Sequence, residues 1–503
     1  MSEPTSSPWS ITAPSRRGDP LTQDRHCDVC VIGGGIAGLT SAYLLAEAGL
    51  SVVLLEANEV VAGGETEFTT AHLAWVLDDR FSRLKSIRGA DVAKAAADSH
   101  RAAIDFIESV ARTENIACDF ERVDGYLVPG PNAGTSAIDK EEGALRDLGI
   151  PYERLPRCPI PALAAGDCLR FADQGQFHPL KYLTGLTEAV RRNGGTLHTG
   201  TRVVRISGGS PCRVETDGGP AVTASSVVIA TGTPFDAGVT LHSKLAAYTT
   251  YAVGLDVPNG AVPHALYWDT EDPYHYVRVM PGPGKDLLIA GGEDHKTGQA
   301  DDQGERWDRL VAWARNKVPE AGELKHRWSG QVFETPDGLG LIGPAPWGEN
   351  LFVITGDSGM GLTHGTLGAR LVTNLIRGDA DPLAGVYSPT RWMPGALLTY
   401  LGENLNLAAQ YTDWLTGGDV SSIEDIPPGH GAIVRSGLGK LAVYRDADGA
   451  VTKLSAACPH MGGVVRWNPG EKSWDCPCHG SRFACTGAVL HGPAVQPLRL
   501  ADS

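Results

Sequence analysis

The sequence predicts an α/β module interleaved with an antiparallel sheet, followed by a small all-β domain. Three observations support this fold class. A glycine motif lies between a short apolar strand and a helix near the N-terminus, and a second strand–glycine–helix unit occurs far along the chain. After about residue 423 the composition changes to short strands and many glycines, which is typical of a small all-β domain. At 503 residues the chain is long enough for several domains.

The first glycine motif, Gly33-Gly34-Gly35-Ile36-Ala37-Gly38, has the spacing G-x-G-x-x-G. An apolar strand at 28–32 precedes it, a helix-forming run at 39–48 follows, and a second apolar strand at 51–56 completes a β–α–β unit. Gly33 permits the tight turn, Gly35 lets the backbone approach a pyrophosphate, and Gly38 lets helix and strand pack closely. The helix N-terminus favours the phosphates, and Glu56 ends the second strand where a carboxylate can bind ribose hydroxyls. The motif predicts nucleotide binding without separating FAD from NAD.

The second unit consists of a strand at 350–355, a glycine-rich segment at 356–363 and a helical run at 364–376. It resembles the return element of FAD oxidoreductases. In those proteins the helix N-terminus points at the flavin ring and stabilises negative charge on its reduced form.

Residues from about 26 to 390 resemble the glycine oxidase, D-amino-acid oxidase and sarcosine oxidase family of flavoproteins. The supporting segments are the two glycine units, Val228-Ile-Ala-Thr-Gly232 and Leu341-Ile-Gly-Pro344. The resemblance implies an FAD-binding, Rossmann-like domain interleaved with an antiparallel-sheet substrate domain. It also implies FAD contacts at Gly33, Gly35, Ile36, Ala37, Gly38, Glu56, Ala57, Gly64, Thr70, Val203, Thr231, Gly232, Gly356, Met360, Gly361, Leu362 and Thr363.

Some relatives attach the flavin covalently through a His, and His72 lies in the matching region. We favour a hydrogen-bonding or packing role for His72 and expect non-covalent FAD. Tyr251, His275, Tyr276 and Arg278 are candidates to line the substrate pocket, and no residue is assigned as catalytic.

Cysteine and histidine cluster near the C-terminus. Cys458 and His460 form C-x-H, and Cys476 and His479 form C-x-x-H. Two thiolates and two imidazoles suit a two-iron, two-sulfide cluster, and the same set also suits a tetrahedral zinc site. The flanking sequences resemble the loops of Rieske proteins, and His491-Gly-Pro-Ala494 resembles their proline loop, so the resemblance favours a Rieske-type 2Fe-2S cluster over zinc.

One position departs from the Rieske pattern. Respiratory Rieske proteins carry a Cys three residues after the first His ligand, and it forms a disulfide with the Cys inside the second loop. Here that position is Gly463, so the resemblance implies that Cys478 is a free thiol. Cys485 remains as an alternative partner.

The predicted organisation has four parts. They are a flexible N-terminal arm (1–25), the oxidoreductase module (26–390), a helical connector (391–420) and the Rieske domain (421–503). Within the module, FAD-binding parts are expected at about 26–95, 175–235 and 330–390, and substrate parts at about 96–174 and 236–329. Residues 96–174 are predicted as helices and loops, 245–295 as antiparallel strands and 304–317 as a helix.

Charge and hydropathy exclude some classes of protein. A net charge of -16 argues against nucleic-acid binding, and no apolar run is long enough to span a membrane. Arg16-Arg17 is not followed by an apolar stretch, so a twin-arginine export signal is rejected. A cytoplasmic protein is expected.

The family resemblance implies oxidation of a small molecule, an amine or amino acid, with electrons passing from FAD through the cluster to an external one-electron acceptor. Two alternatives remain open. Electrons could enter from a donor protein through the Rieske domain and support a flavin monooxygenase, or the chain could be a non-catalytic redox carrier or sensor.

Overall fold

The computed structural model describes residues 6–13, 17–132, 134–163 and 166–501. The oxidoreductase module contains two sheets. Its strands are β1 (Arg25–Ile32), β2 (Val52–Leu55), β3 (His72–Leu73), β4 (Glu121–Val128), β5 (Glu153–Leu155), β6 (Cys168–Gln176), β7 (Thr196–His198), β8 (Val203–Ser207), β9 (Cys212–Thr216), β10 (Ala221–Gly232), β11 (Ala246–Pro258), β12 (Ala265–Asp269), β13 (Tyr276–Met280), β14 (Lys285–Lys296), β15 (Leu324–Glu334), β16 (Leu341–Pro344) and β17 (Leu351–Thr355).

Helices pack around these sheets. They are α1 (Pro8–Thr12), α2 (Ile36–Glu47), α3 (Glu65–Phe68), α4 (Phe81–Arg88), α5 (Ala90–Thr113), α6 (Gly134–Leu148), α7 (Pro179–Arg192), α8 (Gly238–His242), α9 (Gln303–Lys317), α10 (Gly361–Ile376) and α11 (Ala384–Tyr387). Helix α9 is the helix predicted at 304–317. No helix in the described part of the chain is both long and apolar enough to cross a membrane.

The first sheet has the order β16-β17-β10-β1-β2-β7, and the hairpin β8–β9 extends from β10. Strand β1 lies between β2 and β10 and is parallel to both. Its last four residues are buried, because the apolar run that predicted this strand is covered on both faces. The glycine turn after β1 therefore lies at the carboxyl edge of a parallel sheet, where nucleotides bind in α/β folds.

The second sheet has the order β15-β11-β14-β13-β12-β4-β6-β3 and is antiparallel except where β12 pairs with β4. The prediction of helices and loops over 96–174 was wrong for β4 and β6, which lie inside this sheet. Charged residues at the start of β4 obscured its pattern. In the fold Arg122, at the start of β4, forms salt bridges with Asp105 and Glu108 of α5, so these charges are paired at the end of an internal strand.

The predicted flexible arm also requires correction over the residues described. Trp9 of α1 is fully buried, and its Nε1 donates to the Thr69 carbonyl at 2.7 Å. The Trp9 ring also packs edge-on against His178. Burial of this large aromatic ring holds the segment on the module. Residues 1–5 and 14–16 lie outside the described part of the chain.

The connector and the C-terminal domain follow. A 3₁₀ helix at Pro394–Ala396 leads into α12 (Leu397–Gln410), and a second 3₁₀ helix spans Tyr411–Leu415. The C-terminal domain has two small antiparallel sheets, β18-β19-β20 and β21-β22-β23-β24. Their strands are β18 (His430–Ser436), β19 (Gly439–Arg445), β20 (Val451–Ser455), β21 (Arg466–Asn468), β22 (Ser473–Asp475), β23 (Arg482–Ala484) and β24 (Val489–His491).

Candidate active site and cluster centre

The first glycine turn has no room for side chains at two positions. Gly33 has φ +104°, and a Cβ there would lie 2.3 Å from the Ala230 carbonyl oxygen. A Cβ on Gly38 would lie 1.9 Å from the Gly33 carbonyl oxygen. Helix α2 begins immediately after Gly35, so its N-terminus faces the space above the turn, and its Ile36 N–H donates to Thr66 Oγ1 at 3.2 Å.

Glu56 stabilises this turn as well as facing the cavity. Its Oε2 accepts the Gly34 N–H at 2.6 Å, and its Oε1 accepts the Asn58 N–H at 2.7 Å. Burial raises the pKa of Glu56, and these two hydrogen bonds oppose the rise. Each carboxylate oxygen keeps a second lone pair, so Glu56 can still accept a ribose hydroxyl.

The second glycine segment connects β17 to α10. Gly356 has φ +71°, and a Cβ there would lie 2.5 Å from Thr335 Cγ2. The Asp357 carbonyl accepts a hydrogen bond from His364 Nδ1 at 2.7 Å, and Asp357 Oδ1 accepts the Phe333 N–H at 3.2 Å. These bonds fix the turn so that the N-terminus of α10 faces the same space as α2.

A single cavity of about 700 Å³ joins the two glycine segments. It is lined by fifteen of the seventeen residues predicted to contact FAD. They are Gly33, Gly35, Ile36, Ala37, Glu56, Ala57, Gly64, Thr70, Val203, Thr231, Gly232, Gly356, Met360, Gly361 and Leu362. An elongated nucleotide fits this lining, with glycine backbone at two helix N-termini and a carboxylate near the first.

The other two predicted residues do not line the cavity. Gly38 packs α2 against the first turn, as its spacing suggested. The Thr363 hydroxyl is in contact with His100 Nδ1 at 2.7 Å and is buried, so any contact of Thr363 with FAD would come from its backbone.

Of the four suggested pocket residues, only Tyr276 lines the cavity, and His72, suggested as a residue near the flavin, lines it as well. His72 Nδ1 contacts Thr70 Oγ1 at 3.1 Å, and its ring packs edge-on against Tyr276. Tyr251, His275 and Arg278 were wrong as pocket residues. Tyr251 packs in the core on the other face of the sheet, the Arg278 guanidinium donates to the Ala71 carbonyl at 2.7 Å, and His275 stacks on Trp313.

Several residues that line the cavity were not predicted from the sequence. Alternate residues of β11, Tyr248, Thr250 and Ala252, share the face that lines the cavity, a signal that period-two alternation could have given. Asp78 and Asp294 also line it but belong to no motif.

The four predicted cluster ligands lie on two facing loops, which follow β20 and β22. Each loop is closed by an equivalent backbone hydrogen bond. In one the Gly462 N–H donates to Cys458 O, and in the other the Gly480 N–H donates to Cys476 O. The ring centroids of His460 and His479 are 4.9 Å apart.

The four ligands fall into a pair of thiols and a pair of imidazoles. Within the described residues, no three Cys, His, Asp or Glu side chains are grouped so that one metal ion could be held. The thiols of Cys458 and Cys476 contact each other, and the two imidazoles form a separate pair. His479 Nδ1 is buried with no hydrogen-bond partner in the described part of the chain. Two ligand pairs suit two irons, one held by thiolates and the other by imidazoles.

Gly463 lies directly opposite the free thiol of the second loop. A Cβ on Gly463 would lie 2.5 Å from Cys478 Sγ. Cys478, Cys485 and the other eight cysteines are all free. The second loop therefore lacks the disulfide of respiratory Rieske proteins because its partner position is Gly.

Gly463→Cys should form a disulfide with Cys478 in oxidised protein. The loop between residues 463 and 478 has a length for which chain-entropy arguments give about 3 kcal/mol of stabilisation. Non-reducing peptide mass mapping would detect the bond. The unfolding midpoint of the cluster domain should be higher in the oxidised variant than in wild type, and adding reductant should remove the difference. Gly463→Ser is the control, since it adds the same Cβ without a thiol. Two free thiols in the oxidised Cys variant would contradict the facing geometry of the loops.

The C-terminal domain contributes directly to the flavin cavity. Leu490, His491, Gly492, Ala494 and Val495 line it beside the residues of the two glycine segments. The proline loop thus joins the two sites, since the Ala494 N–H also donates to Ser481 Oγ, next to the second ligand loop, at 3.0 Å.

A second contact runs through β15. The Gln331 Nε2 donates to the Gly480 carbonyl at 2.9 Å, and the Gln331 N–H donates to Glu65 Oε2 at 2.6 Å. The other Glu65 oxygen is 3.1 Å from His491 Nε2. Glu65 and Gln331 both line the cavity, so this wall contacts the backbone next to the ligand His479.

A third contact involves His242 at the end of α8. Its ring centroid lies 4.6 Å from that of His460 and 5.3 Å from that of His479. The imidazole edge of the cluster site therefore faces the oxidoreductase module.

Comparisons with known proteins agree with this architecture. Over 486 residues the chain is 31% identical to the Rieske 2Fe-2S iron-sulfur protein YhfW of Bacillus subtilis, covering 96% of this chain and 94% of that protein. It is 28% identical over 411 residues to gamma-glutamylputrescine oxidoreductase of Escherichia coli, covering 76% of this chain and 91% of that protein. The fold is similar to that of glycine oxidase from Geobacillus kaustophilus, with a TM-score of 0.60, 22% identity, and coverage of 73% of this chain and 100% of that one.

Family models assign both parts of the chain. Residues 418–501 match the model of the Rieske [2Fe-2S] domain, and residues 28–375 match that of the FAD dependent oxidoreductases. FAD and a 2Fe-2S cluster are therefore its cofactors. The chain belongs to the family of FAD-dependent oxidoreductases and carries a C-terminal Rieske domain.

Proposed function

We propose that this protein oxidises a small amine or amino acid and delivers the electrons, by way of its flavin and then its Rieske cluster, to an external one-electron acceptor. The observation that carries the proposal is the wall shared by the two cofactor sites. Leu490 to Val495 of the cluster domain line the flavin cavity, except for Pro493. The fifteen predicted FAD contacts that line the cavity are proposed to hold the cofactor there.

The chain provides a compact connection between the sites. Gln331 bonds both to the cavity wall at Glu65 and to the backbone next to His479. His242 packs against the imidazoles of both ligand His residues. Gln331, His242 and His479 are buried, so these contacts support a close approach of the two centres.

The stoichiometry fits a two-electron oxidation linked to a one-electron carrier. When bound, the flavin accepts two electrons and can release them singly, whereas the cluster carries one. The substrate C–H bond breaks as a C=N bond forms, so the substrate loses two electrons and two protons. Water then hydrolyses the imine, and two equivalents of acceptor are reduced for each substrate oxidised.

Two further observations support the proposed substrate type and location. The similarity to gamma-glutamylputrescine oxidoreductase favours an amine-type substrate for this chain as well. The eight cysteines outside the ligand set form no disulfide, and with Gly463 opposite Cys478 they suit a reducing compartment and support a cytoplasmic location.

Cys458→Ser and Cys476→Ser test the direction of electron flow. Anaerobic substrate, chosen from a panel of amines and amino acids, should bleach the flavin of both variants at nearly the wild-type rate, because only the flavin site contacts substrate. Reduction of an electron-acceptor protein such as cytochrome c should be lost. Cys485→Ser, in the same domain and outside the ligand set, should behave as wild type.

In wild-type protein the EPR signal of the reduced cluster should follow flavin bleaching in time. A cluster that stays oxidised while substrate bleaches the flavin would contradict the proposal. If NADH and a reductase reduce the cluster first and the flavin afterwards, the monooxygenase alternative is favoured.

A further inference from the structure

One end of the flavin cavity is lined by acidic side chains. This end lies between the second glycine segment and the second sheet, and its carboxylates are Asp78, Asp79, Asp269, Glu271, Asp272, Asp294, Glu334 and Asp357. Among the described lining residues, the basic ones are Arg80 at this end and Arg202 at the adenosine end, and there is no Lys.

Asp78 and Asp294 line the cavity and, like Asp272 and Glu334, form no salt bridge within the described part of the chain. Asp78 Oδ2 accepts a hydrogen bond from the Tyr274 hydroxyl at 3.1 Å. Asp294 Oδ1 is buried and has no hydrogen-bond partner among the residues described. By contrast, Asp79 is paired with Arg83.

The positive groups nearest to Asp294 are occupied elsewhere. His275 Nδ1 is 3.3 Å from Asp269 Oδ2, and its Nε2 is 3.6 Å from a Glu293 oxygen. Arg306 binds Asp302 and the backbone carbonyl of Glu293. The carboxylates therefore face the cavity with little compensating charge from the protein.

The electrostatics reflect this lack of compensation. Burial, together with the charges of Asp79, Asp294 and Asp357, raises the pKa of Asp78 to about 7. Burial also raises the pKa of Asp294 to about 6. A cation bound between the two carboxylates would stabilise their ionised forms.

The other walls of this end are aromatic and neutral. Trp268, Tyr274 and Tyr276 line it, and the rings of Tyr274 and Tyr276 are 5.3 Å apart. Aromatic faces attract ammonium groups. The lining His72 and His364 add no positive charge, since burial lowers their pKa values to about 3 and 4.

We infer that the substrate is a di- or polyamine, with a second ammonium group bound by Asp78 and Asp294 and with no carboxylate. This inference rests on the proposed function, because it specifies the substrate of the same site. Asp78 lies directly against the second glycine segment, since a Cβ on Gly359 would lie 2.2 Å from Asp78 Oδ2. An amino-acid carboxylate would instead need a cationic fork. The guanidinium of Arg80 is turned toward the Thr270 carbonyl, at 3.4 Å.

The test compares three ligands of equal chain length: putrescine as a dication, butylamine as a monocation and γ-aminobutyrate as a zwitterion. Binding to the oxidised holoenzyme is measured from the perturbation of the flavin spectrum, so no turnover is needed. Putrescine should bind about ten- to a hundredfold more tightly than butylamine, the range expected for one hydrogen-bonded charge pair. γ-Aminobutyrate should bind least.

Asp294→Asn and Asp78→Asn should remove most of the preference for putrescine while changing butylamine binding much less. Glu188→Gln, which removes a surface charge on α7, is the control. Equal binding of putrescine and butylamine, tighter binding of γ-aminobutyrate, or an unchanged preference in both Asn variants would overturn the inference. Failure of electron delivery to the cluster, with the putrescine preference intact, would reject only the proposed function.

Discussion

His460→Ala and His479→Ala should each abolish the rhombic EPR signal of the Rieske cluster while FAD remains bound. Each substitution removes one of the two imidazoles that hold the second iron. The His460 and His479 rings pair with each other and with His242, and neither side chain lines the flavin cavity. The measurements are EPR of dithionite-reduced protein, iron and sulfide analysis, and the flavin content of the same samples.

His430→Ala is the matched control, because His430 is an exposed histidine at the start of β18 in the same domain. It should keep the full signal and two irons per chain. Stoichiometric zinc without iron in anaerobically purified wild-type protein would reject the cluster assignment. Loss of FAD from the His variants would show that the two sites are not independent.

Asp337→Asn should destabilise the oxidoreductase module by about 3–5 kcal/mol, the cost typical of breaking a buried ion pair. Asp337 Oδ1 accepts from Arg391 Nη2 at 2.6 Å, and Arg88 binds the other oxygen. The side chains of Asp337 and Arg391 are 0% and 2% exposed, so the variant leaves two guanidinium groups buried with no carboxylate partner. The loss should appear as a lower midpoint in urea unfolding followed by flavin fluorescence.

The contribution of the Asp337 ion pairs to the stability of the wild-type fold depends on pH with a defined sign. Burial alone would raise the pKa of Asp337, but the charges of Arg391 and Arg88 hold it below its usual value. The pair therefore stabilises the fold above the pKa of an unfolded Asp, about 3.9. That stabilisation is lost as the pH falls through the lower folded value.

Asp98→Asn is the control for the Asp337 variant. Asp98 pairs with Lys94 on α5 with both side chains more than half exposed, and such pairs contribute about 0–1 kcal/mol. Similar midpoints for the Asp337 and Asp98 variants would show that the buried network does not stabilise the module.

Much of both cofactor sites could be predicted from the sequence, because their chemistry is local. Gly33 and Gly38 must be glycine because a Cβ at either position would clash with a backbone carbonyl oxygen. The pairs Cys458–His460 and Cys476–His479 have fixed spacings within two short loops. Even Gly463, distant in sequence from Cys478, could be placed opposite it through the family resemblance.

Only the tertiary structure revealed the acidic end of the cavity and the contacts between the two cofactor sites. Asp78 and Asp294 are more than two hundred residues apart and belong to no motif, so only the packing of their elements brings them into one cavity. The contact of Gln331 with Gly480 likewise joins two domains. Local patterns fix backbone turns and ligand spacings, whereas the charge of a pocket and the contact between domains depend on long-range packing that no short segment encodes.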